Sequence, residues 1–257
     1  MATNDPYPGA QAVTRAVNLL KAFTDSQPEW GLSEMAQAAG LNKTTTFRLL
    51  AALESEGLIA RNPQTDAYRL GPEAIVLGGR ALRANGLRAV SRAELEALAQ
   101  ETGETATLEV LTDSDTLILD EVLSRHMIGG TPSIGTRWPA HTTSTGKAIL
   151  AALPDDLLNA ALPRRLPTPT DKSIADRETL RAELAKVRRQ GYAVASEELE
   201  PGFVAIGAPV HDHNGQVIAA ISVGGPKNRM PADCIAEIAA LVKAAAERIS
   251  KQLGHKP

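Results

Sequence analysis

Cysteine occurs once in the 257 residues, at Cys234, which excludes an intrachain disulfide framework. Long apolar runs are missing as well: none approaches the ~20 residues needed to span a bilayer. The opening stretch MATNDPYPGA lacks the positive region and apolar core of a secretory signal, so the expected location is the cytoplasm. No internal repeat of solenoid length is found. A basic excess is also lacking. The formal net charge is −3, and residues 1–80 hold seven Lys or Arg against eight Asp or Glu, giving −1. Any nucleic-acid surface must therefore be basic only locally, and non-specific affinity, which rests on phosphate neutralisation, should be modest. What is present is an ordinary soluble composition, 43% hydrophobic, in a chain long enough for two domains of roughly 100–200 residues.

The most informative segment is GLSEMAQAAGLNKTTTFRLLAALESEG, residues 31–57. Leu32, Met35, Ala36 and Ala39 recur at helical spacing. Gly40 is placed for a left-handed stop and Asn42 for the N-cap of a second helix. In that helix Phe47, Leu50 and Leu53 are expected to form the apolar stripe. Its first turns carry Lys43, Thr44, Thr45, Thr46 and Arg48. Such short hydroxyls and cations suit the end of a recognition helix entering the major groove. The segment alone also fits an ordinary helical hairpin with a solvated polar end. The following residues favour DNA. Two short strands, 58–61 and 67–70, flank the turn formers Asn62-Pro63-Gln64-Thr65-Asp66. A hairpin in that place reads as a wing, with Arg61 and Arg69 at its edge for phosphates. Ahead of the motif, Val13, Ala16, Val17, Leu20 and Phe23 predict a supporting amphipathic helix with Arg15 on its polar side.

AVTRAVNLLKAF, the helix-turn-helix stretch and YRLGPEAIVLG resemble the amino-terminal domain of IclR-type bacterial transcription regulators. The likeness continues through GTRWPAHTTSTGKAILAAL and EELEPGFVAIGAPVHDHNGQVIAAISVGGP, covering nearly all of the chain from Ala12 onward. The resemblance implies an α+β protein: a winged helix-turn-helix domain (1–70), a linker helix (71–86) and a GAF-like α/β effector-binding domain (87–257). It further implies a homodimer, often a dimer of dimers, on a pseudo-palindromic operator DNA, answering to a small-molecule carboxylate. No cofactor, metal or membrane partner is expected.

Beyond residue 70, helices are expected at 72–84, 87–102, 146–153, 176–190 and 231–253. Val90, Ala93, Leu95, Leu98 and Ala99 supply the apolar face of the second. Strands are expected at 105–111, 117–122, 192–196, 204–210 and 217–223, with a Pro-rich surface loop at 162–173. Together they suggest one sheet flanked by helices.

Several chemical motifs fall in this half. Ser144-Thr145-Gly146-Lys147 matches S-x-x-K, in which Ser144 would be the nucleophile and Lys147 the base of a hydrolase. The companion S-D-N and K-T-G motifs are missing. A phosphate loop would need Gly where His141 stands and Ser or Thr where Ala148 stands. Ser144 or Thr145 is instead expected to cap a helix whose free N–H groups, with Gly146, hold an effector carboxylate. His211-Asp212-His213 falls in a hairpin turn with Asn-Gly, so exposed turn residues are favoured over a metal site. His126 and His141 lack ligand spacing. Cys234 is expected either in a first helical turn that lowers its pKa or as a small buried residue. Ile134 and Trp138 are candidates for the pocket or for plain packing.

The resemblance also places Ala195, Ala205, Ser222 and Gly224 in the effector pocket. Family members that bind small oxoacids resemble one another in having Asp, Cys, Ser and Ser there. This chain lacks the Asp, the Cys and one Ser, which implies a roomier, more apolar pocket for an aromatic or otherwise apolar acid. An enzyme is not expected. A small-molecule sensor with an idle helix-turn-helix remains the alternative that the low basicity keeps open.

Overall fold

The computed structural model describes residues 10–125 and 134–256. His126 lies outside the described residues. The chain divides into two compact units at Ala84/Asn85.

Unit 1 begins with α1 (Ala10–Lys21), then β1 (Glu29–Trp30), α2 (Leu32–Ala38), α3 (Lys43–Ser55), β2 (Ile59–Arg61), β3 (Tyr68–Leu70) and α4 (Pro72–Arg83). Local chemistry sets these boundaries. The Gly31 N–H donates to Glu34 Oε2 at 3.2 Å at the start of α2. Gly40, at φ +63°, ends the turn after it. Asn42 Oδ1 then accepts the Thr45 N–H at 2.8 Å and caps α3. The wing is antiparallel, with Ile59 opposite Leu70 and Arg61 opposite Tyr68. β1 adds a third strand to it, pairing with β3; two residues are too short for periodicity to reveal. The core gathers Leu19, Met35, Leu50, Leu53, Ile59 and Tyr68. In α1 the deeply buried side chain is therefore Leu19, while Val13 and Val17, expected to face inward, are exposed. The first turn of α4 is tied to the wing by the Gly71 N–H to Leu58 O and the Glu73 N–H to Gly57 O.

Unit 2 contains α5 (Gly86–Thr102), the hairpin β4 (Thr105–Thr112) and β5 (Asp115–Val122), β6 (Arg137–Pro139), a 3-10 turn (Ala140–Thr142), α6 (Ser144–Ala152), α7 (Asp155–Ala161), α8 (Arg177–Gln190), β7 (Ala193–Ser196), β8 (Phe203–His211), β9 (Val217–Pro226) and α9 (Ile235–Gln252). The described strands form one antiparallel sheet in the order β6-β5-β4-β9-β8-β7. Alternation sends Ala106 and Leu108 of β4, Val204 and Ile206 of β8, and Ile221 and Val223 of β9 into a core with α5 and α9. On the other face Ala193 and Ala220 join Ile149, Leu150, Leu180 and Leu184 from α6 and α8. The register slips between Leu108 and Glu109, where Asp120 and Ile118 are the successive partners and Leu119 is the extra residue.

Several expectations for this unit are corrected. Ala93 of α5 is exposed. The 162–173 segment is a loop, but Leu162 and Leu166 are buried as anchors. The last helix starts after Cys234, which occupies its N-cap position with Sγ 3.1 Å from Pro231 O. Burial pushes that thiol up rather than down.

Candidate functional site

The exposed end of α3 follows from the pitch of the helix. Thr46, Leu50 and Leu53 are its buried residues, at i, i+4 and i+7. Thr46, expected to read DNA, is fully buried, and its hydroxyl donates to Asn42 O at 3.1 Å. That local bond satisfies the hydroxyl inside the core. Phe47, expected in the core, is 47% exposed instead. It shares an outward stripe with Thr44, Arg48 and Ala51. Lys43 and Thr44 are exposed and Thr45 half-buried at the same end. Sequence reasoning shifts the stripe by one residue because Phe is more apolar than Thr. The spacing 46/50/53 is the signal that corrects it.

On the wing, Arg61 Nε lies 3.1 Å from Asp66 Oδ1, and its guanidinium is 5.2 Å from the Tyr68 ring. This arginine is thus already engaged by an acid, whereas Arg69 is exposed. Arg15 is half-buried on α1. Among the described residues, Arg15, Lys43, Arg48 and Arg69 have no carboxylate within ion-pairing distance. Acids close by are occupied: Asn62 Nδ2 donates to Glu29 at 3.1 Å, and Glu34 caps α2.

In unit 2 a cavity opens between the start of α6 and the β4–β9–β8 face of the sheet, with space of about 120 Å³. One water needs ~10–15 Å³ on this measure, so the space suits a small organic molecule. Ser144, Thr145, Ala195, Ala205, Ser222 and Gly224 all line it, as does Trp138. Ile134 is exposed and does not. Gly146 is off the lining too: a Cβ there would stand 2.0 Å from Ala140 O. It is the close approach of α6 to the preceding turn that requires glycine. The cap of α6 is Thr143, not Ser144 or Thr145. Its Oγ1 accepts the Gly146 N–H at 3.0 Å, which leaves that N–H unavailable to a ligand. The Ser144 and Thr145 amides are at the first helical positions, where no intrahelical acceptor exists.

At Gly224 the cavity is not widened in the way a small residue implied. A Cβ on Gly224 would stand 2.8 Å from Phe203 Cζ, so the Phe203 ring occupies the space that glycine vacates. A carboxyl missed by sequence reasoning enters instead. Glu109 is buried on the lining, accepting from Thr145 Oγ1 at 2.6 Å (Oε2) and from Thr107 Oγ1 at 3.0 Å (Oε1). Thr107 and Ser222 hydroxyls are 2.8 Å apart. Burial pushes the Glu109 carboxyl up, against these hydroxyl bonds. The expected alternation, with Glu109 in phase with Thr105 and Thr107, is the signal that could find it.

Lys147 is buried, and its Nζ donates to Val194 O and to Glu198 Oε1, both at 2.6 Å, with Glu183 at 3.7 Å. The lysine of the S-x-x-K match is thus committed to Glu198 and the β7 backbone. Glu198 itself lines the cavity, and its Oε2 is buried without a partner. The adjoining Glu197, held to about 2 by Lys172 and Lys227, pins this loop from outside. His141 is buried with Nε2 2.8 Å from Pro167 O, and burial pushes its pKa down. His211 stacks on His255 at 4.9 Å, and Asp212 accepts the Asn214 and Gln216 N–H groups of the turn. No group of His, Cys, Asp and Glu able to hold a metal occurs among the described residues.

Residues 12–63 match the family model described as the IclR helix-turn-helix domain, and residues 79–251 match that of the bacterial transcriptional regulator IclR C-terminal domain. The chain belongs to the IclR family. It is 32% identical over 247 residues to the transcriptional repressor IclR of Escherichia coli, covering 95% of this chain and 90% of that one. The IclR regulator of Alicyclobacillus acidocaldarius superposes with a TM-score of 0.83 at 30% identity, covering 95% and 98% of the two chains. An IclR homolog of Microbacterium hydrocarbonoxydans, solved with 4-hydroxybenzoate, superposes at 0.79 with 26% identity over 94% and 98%. The fold of IclR proteins is thus the fold of this chain, a winged helix-turn-helix followed by an α/β domain, and its function is that of a DNA-binding transcriptional regulator. No described helix is long and apolar enough to cross a membrane.

Proposed function

We propose that this IclR regulator binds a pseudo-palindromic operator as a dimer or dimer of dimers, and that an aromatic or otherwise apolar organic acid in the unit 2 cavity alters that binding. The observation that carries the reading is the cavity itself, walled by Trp138, Phe203 and Ile118 beside the Ser144 and Thr145 amides. Apolar walls take the body of the acid, and the helix start takes its carboxylate. The 4-hydroxybenzoate held by the Microbacterium homolog is an acid of this class.

On the DNA, Lys43, Thr44, Thr45 and Arg48 take the major groove, with Phe47 beside them. Arg15, Arg69 and Arg61 position the phosphate backbone, Arg61 after leaving Asp66. The exposed Val13 and Val17 of α1, one helical turn apart, and the 77% exposed Ile75 of α4 support a contact with a second copy. Domains 1–70, 71–86 and 87–257 divide these tasks. Effector and DNA must change each other's affinity by one factor.

Footprinting on the DNA flanking the gene, at two salt concentrations, tests the reading. A discrete protected palindrome, lost in a Lys43→Ala, Arg48→Ala variant and shifted by 4-hydroxybenzoate, is the expected result. Effector binding with only weak, sequence-independent DNA binding would instead identify a sensor. Tight pyruvate or glyoxylate binding with aromatic acids inert would sink the effector class.

A further inference from the structure

The lining of the cavity has no cation among the described residues. Its charged members are Glu109, Glu198 and Glu200. Glu109 is 6% exposed, and its partners are hydroxyls on three elements: Thr107 on its own β4, Thr116 on β5 and Thr145 on α6. Ser222 of β9 is reached through Thr107.

Charged and titratable groups on the surrounding elements are engaged elsewhere. Lys147 of α6 holds Glu198 and Val194 O. His141, just before α6, meets Pro167 O. Asp120 of β5 faces Arg88 and Arg92 of α5, Asp115 sits at the far, turn end of β5, Glu121 of β5 is a further acid opposite Thr107, and the exposed Arg137 of β6 stands opposite Leu117. Glu104, before β4, is bound by Arg229. Across the cavity stand Glu198 and the exposed Glu200. An ionised Glu109 would thus be desolvated with no counter-charge among the described residues, which disfavours the charged form. A neutral carboxyl is an acceptor that also carries one O–H donor. Buried acids can stay neutral at pH 7 and use that donor on a ligand.

We propose that Glu109 recognises the effector by donating its carboxyl O–H to the effector's acidic group, so that a neutral acid takes the place of a cation in this cavity. The inference rests on the effector reading above. The proton stays within the Glu109–effector pair, and no bond is made or broken. Hydroxyls of Thr107 and Thr145 hold the carboxyl in place for it. An effector that is already an anion then binds most tightly at low pH. Its affinity falls about tenfold per pH unit once the carboxyl ionises, because each binding event must then recover one proton.

The test uses the full chain with glutamate Cδ labelled with carbon-13, as wild type and as Glu109→Gln. The resonance missing from the variant reports the protonation of Glu109 directly. Calorimetry with 4-hydroxybenzoate, benzoate and pyruvate, from about pH 6 to about pH 8.5, reports the contact. The expected result is a protonated resonance near neutral pH. An aromatic acid should bind wild type more weakly as pH rises, and bind Glu109→Gln within about threefold of wild type at low pH with no slope, since the amide keeps a donor. An ionised resonance near neutral pH, alongside binding, overturns the proposal and leaves the effector reading standing. So does an unchanged slope in the variant, or lost binding in a folded variant. A protonated resonance with no heat from any of the three acids overturns the effector reading, and the contact with it.

Discussion

Lys147 Nζ and Glu198 Oε1 stand 2.6 Å apart inside unit 2, with the lysine 1% exposed. The pair joins α6 to the loop after β7, so one wall of the cavity depends on it. Removing one partner leaves the other charge buried and alone, which typically costs about 3–5 kcal/mol. Lys147→Ala should lose about that much in denaturant unfolding. Lys147→Met with Glu198→Gln should recover most of it. Ester or amide turnover should be nil in all forms, and the unfolding free energy of Ser144→Ala should lie within about 1 kcal/mol of wild type.

Glu109 gives the fold a pH dependence of its own. Its folded-state carboxyl keeps its proton to higher pH than the unfolded group, whose ordinary value is 4.5. The contribution to stability is therefore whole below that ordinary value and is lost as pH rises through the folded one. Unfolding followed across that window should show wild type losing stability relative to Glu109→Gln with rising pH. A parallel pair of curves would contradict it.

The buried and exposed threonines of α3 should separate cleanly. Thr46→Val loses one local hydrogen bond, about 1 kcal/mol of stability, and leaves operator affinity unchanged. Arg48→Ala leaves stability unchanged but weakens binding, and flattens the salt dependence by about 0.9 in log–log slope if it meets one phosphate. Titrations at several salt concentrations distinguish the two.

Asp66 restrains the wing. Asp66→Asn should free Arg61, tighten binding to non-specific DNA a few-fold and steepen its salt slope. Asn suits the site because residue 66 has φ +60°, a region Asn tolerates. Unchanged binding at low salt would show that Arg61 does not reach the backbone.

Gly146→Ala should be severely destabilising, since its Cβ would collide with the Ala140 backbone at 2.0 Å. Overpacking of this kind commonly costs about 1–3 kcal/mol or more. Thermal unfolding should move downward, and aromatic-acid binding should be lost with the displaced start of α6.

Elements with a period or a cap of their own are legible in the sequence. Asn42 and Gly40 delimit the two helices of the motif, and alternation marks β4, β5, β8 and β9. Two-residue β1 and three-residue β6 have too few residues for alternation to register. Thr46 and Phe47 exchange places because polarity points one way and helical phase the other, and the phase wins. In the cavity, Ser144 and Thr145 are found through motif and family likeness, but Thr143 takes the cap. Alternation puts Glu109 in phase with Thr105 and Thr107, but that this side of β4 faces the start of α6, and that Phe203 closes on Gly224, is set by tertiary packing that local pattern does not encode.

The extra residue Leu119 has a consequence for how such a cavity changes over time. Before it, Thr116 and Ile118 belong to the ligand side of the sheet. After it, Asp120 belongs to the opposite side, where it anchors Arg88 and Arg92. A β5 of the same length without this bulge would continue one alternation through Leu119 and turn Asp120 into the cavity, trading the anchor for a new acid. Ligand preference and the seating of α5 are therefore coupled through the bulge in β5. Substitutions can retune the cavity one group at a time, whereas straightening the bulge with Leu119 retained would alter both faces of the sheet together.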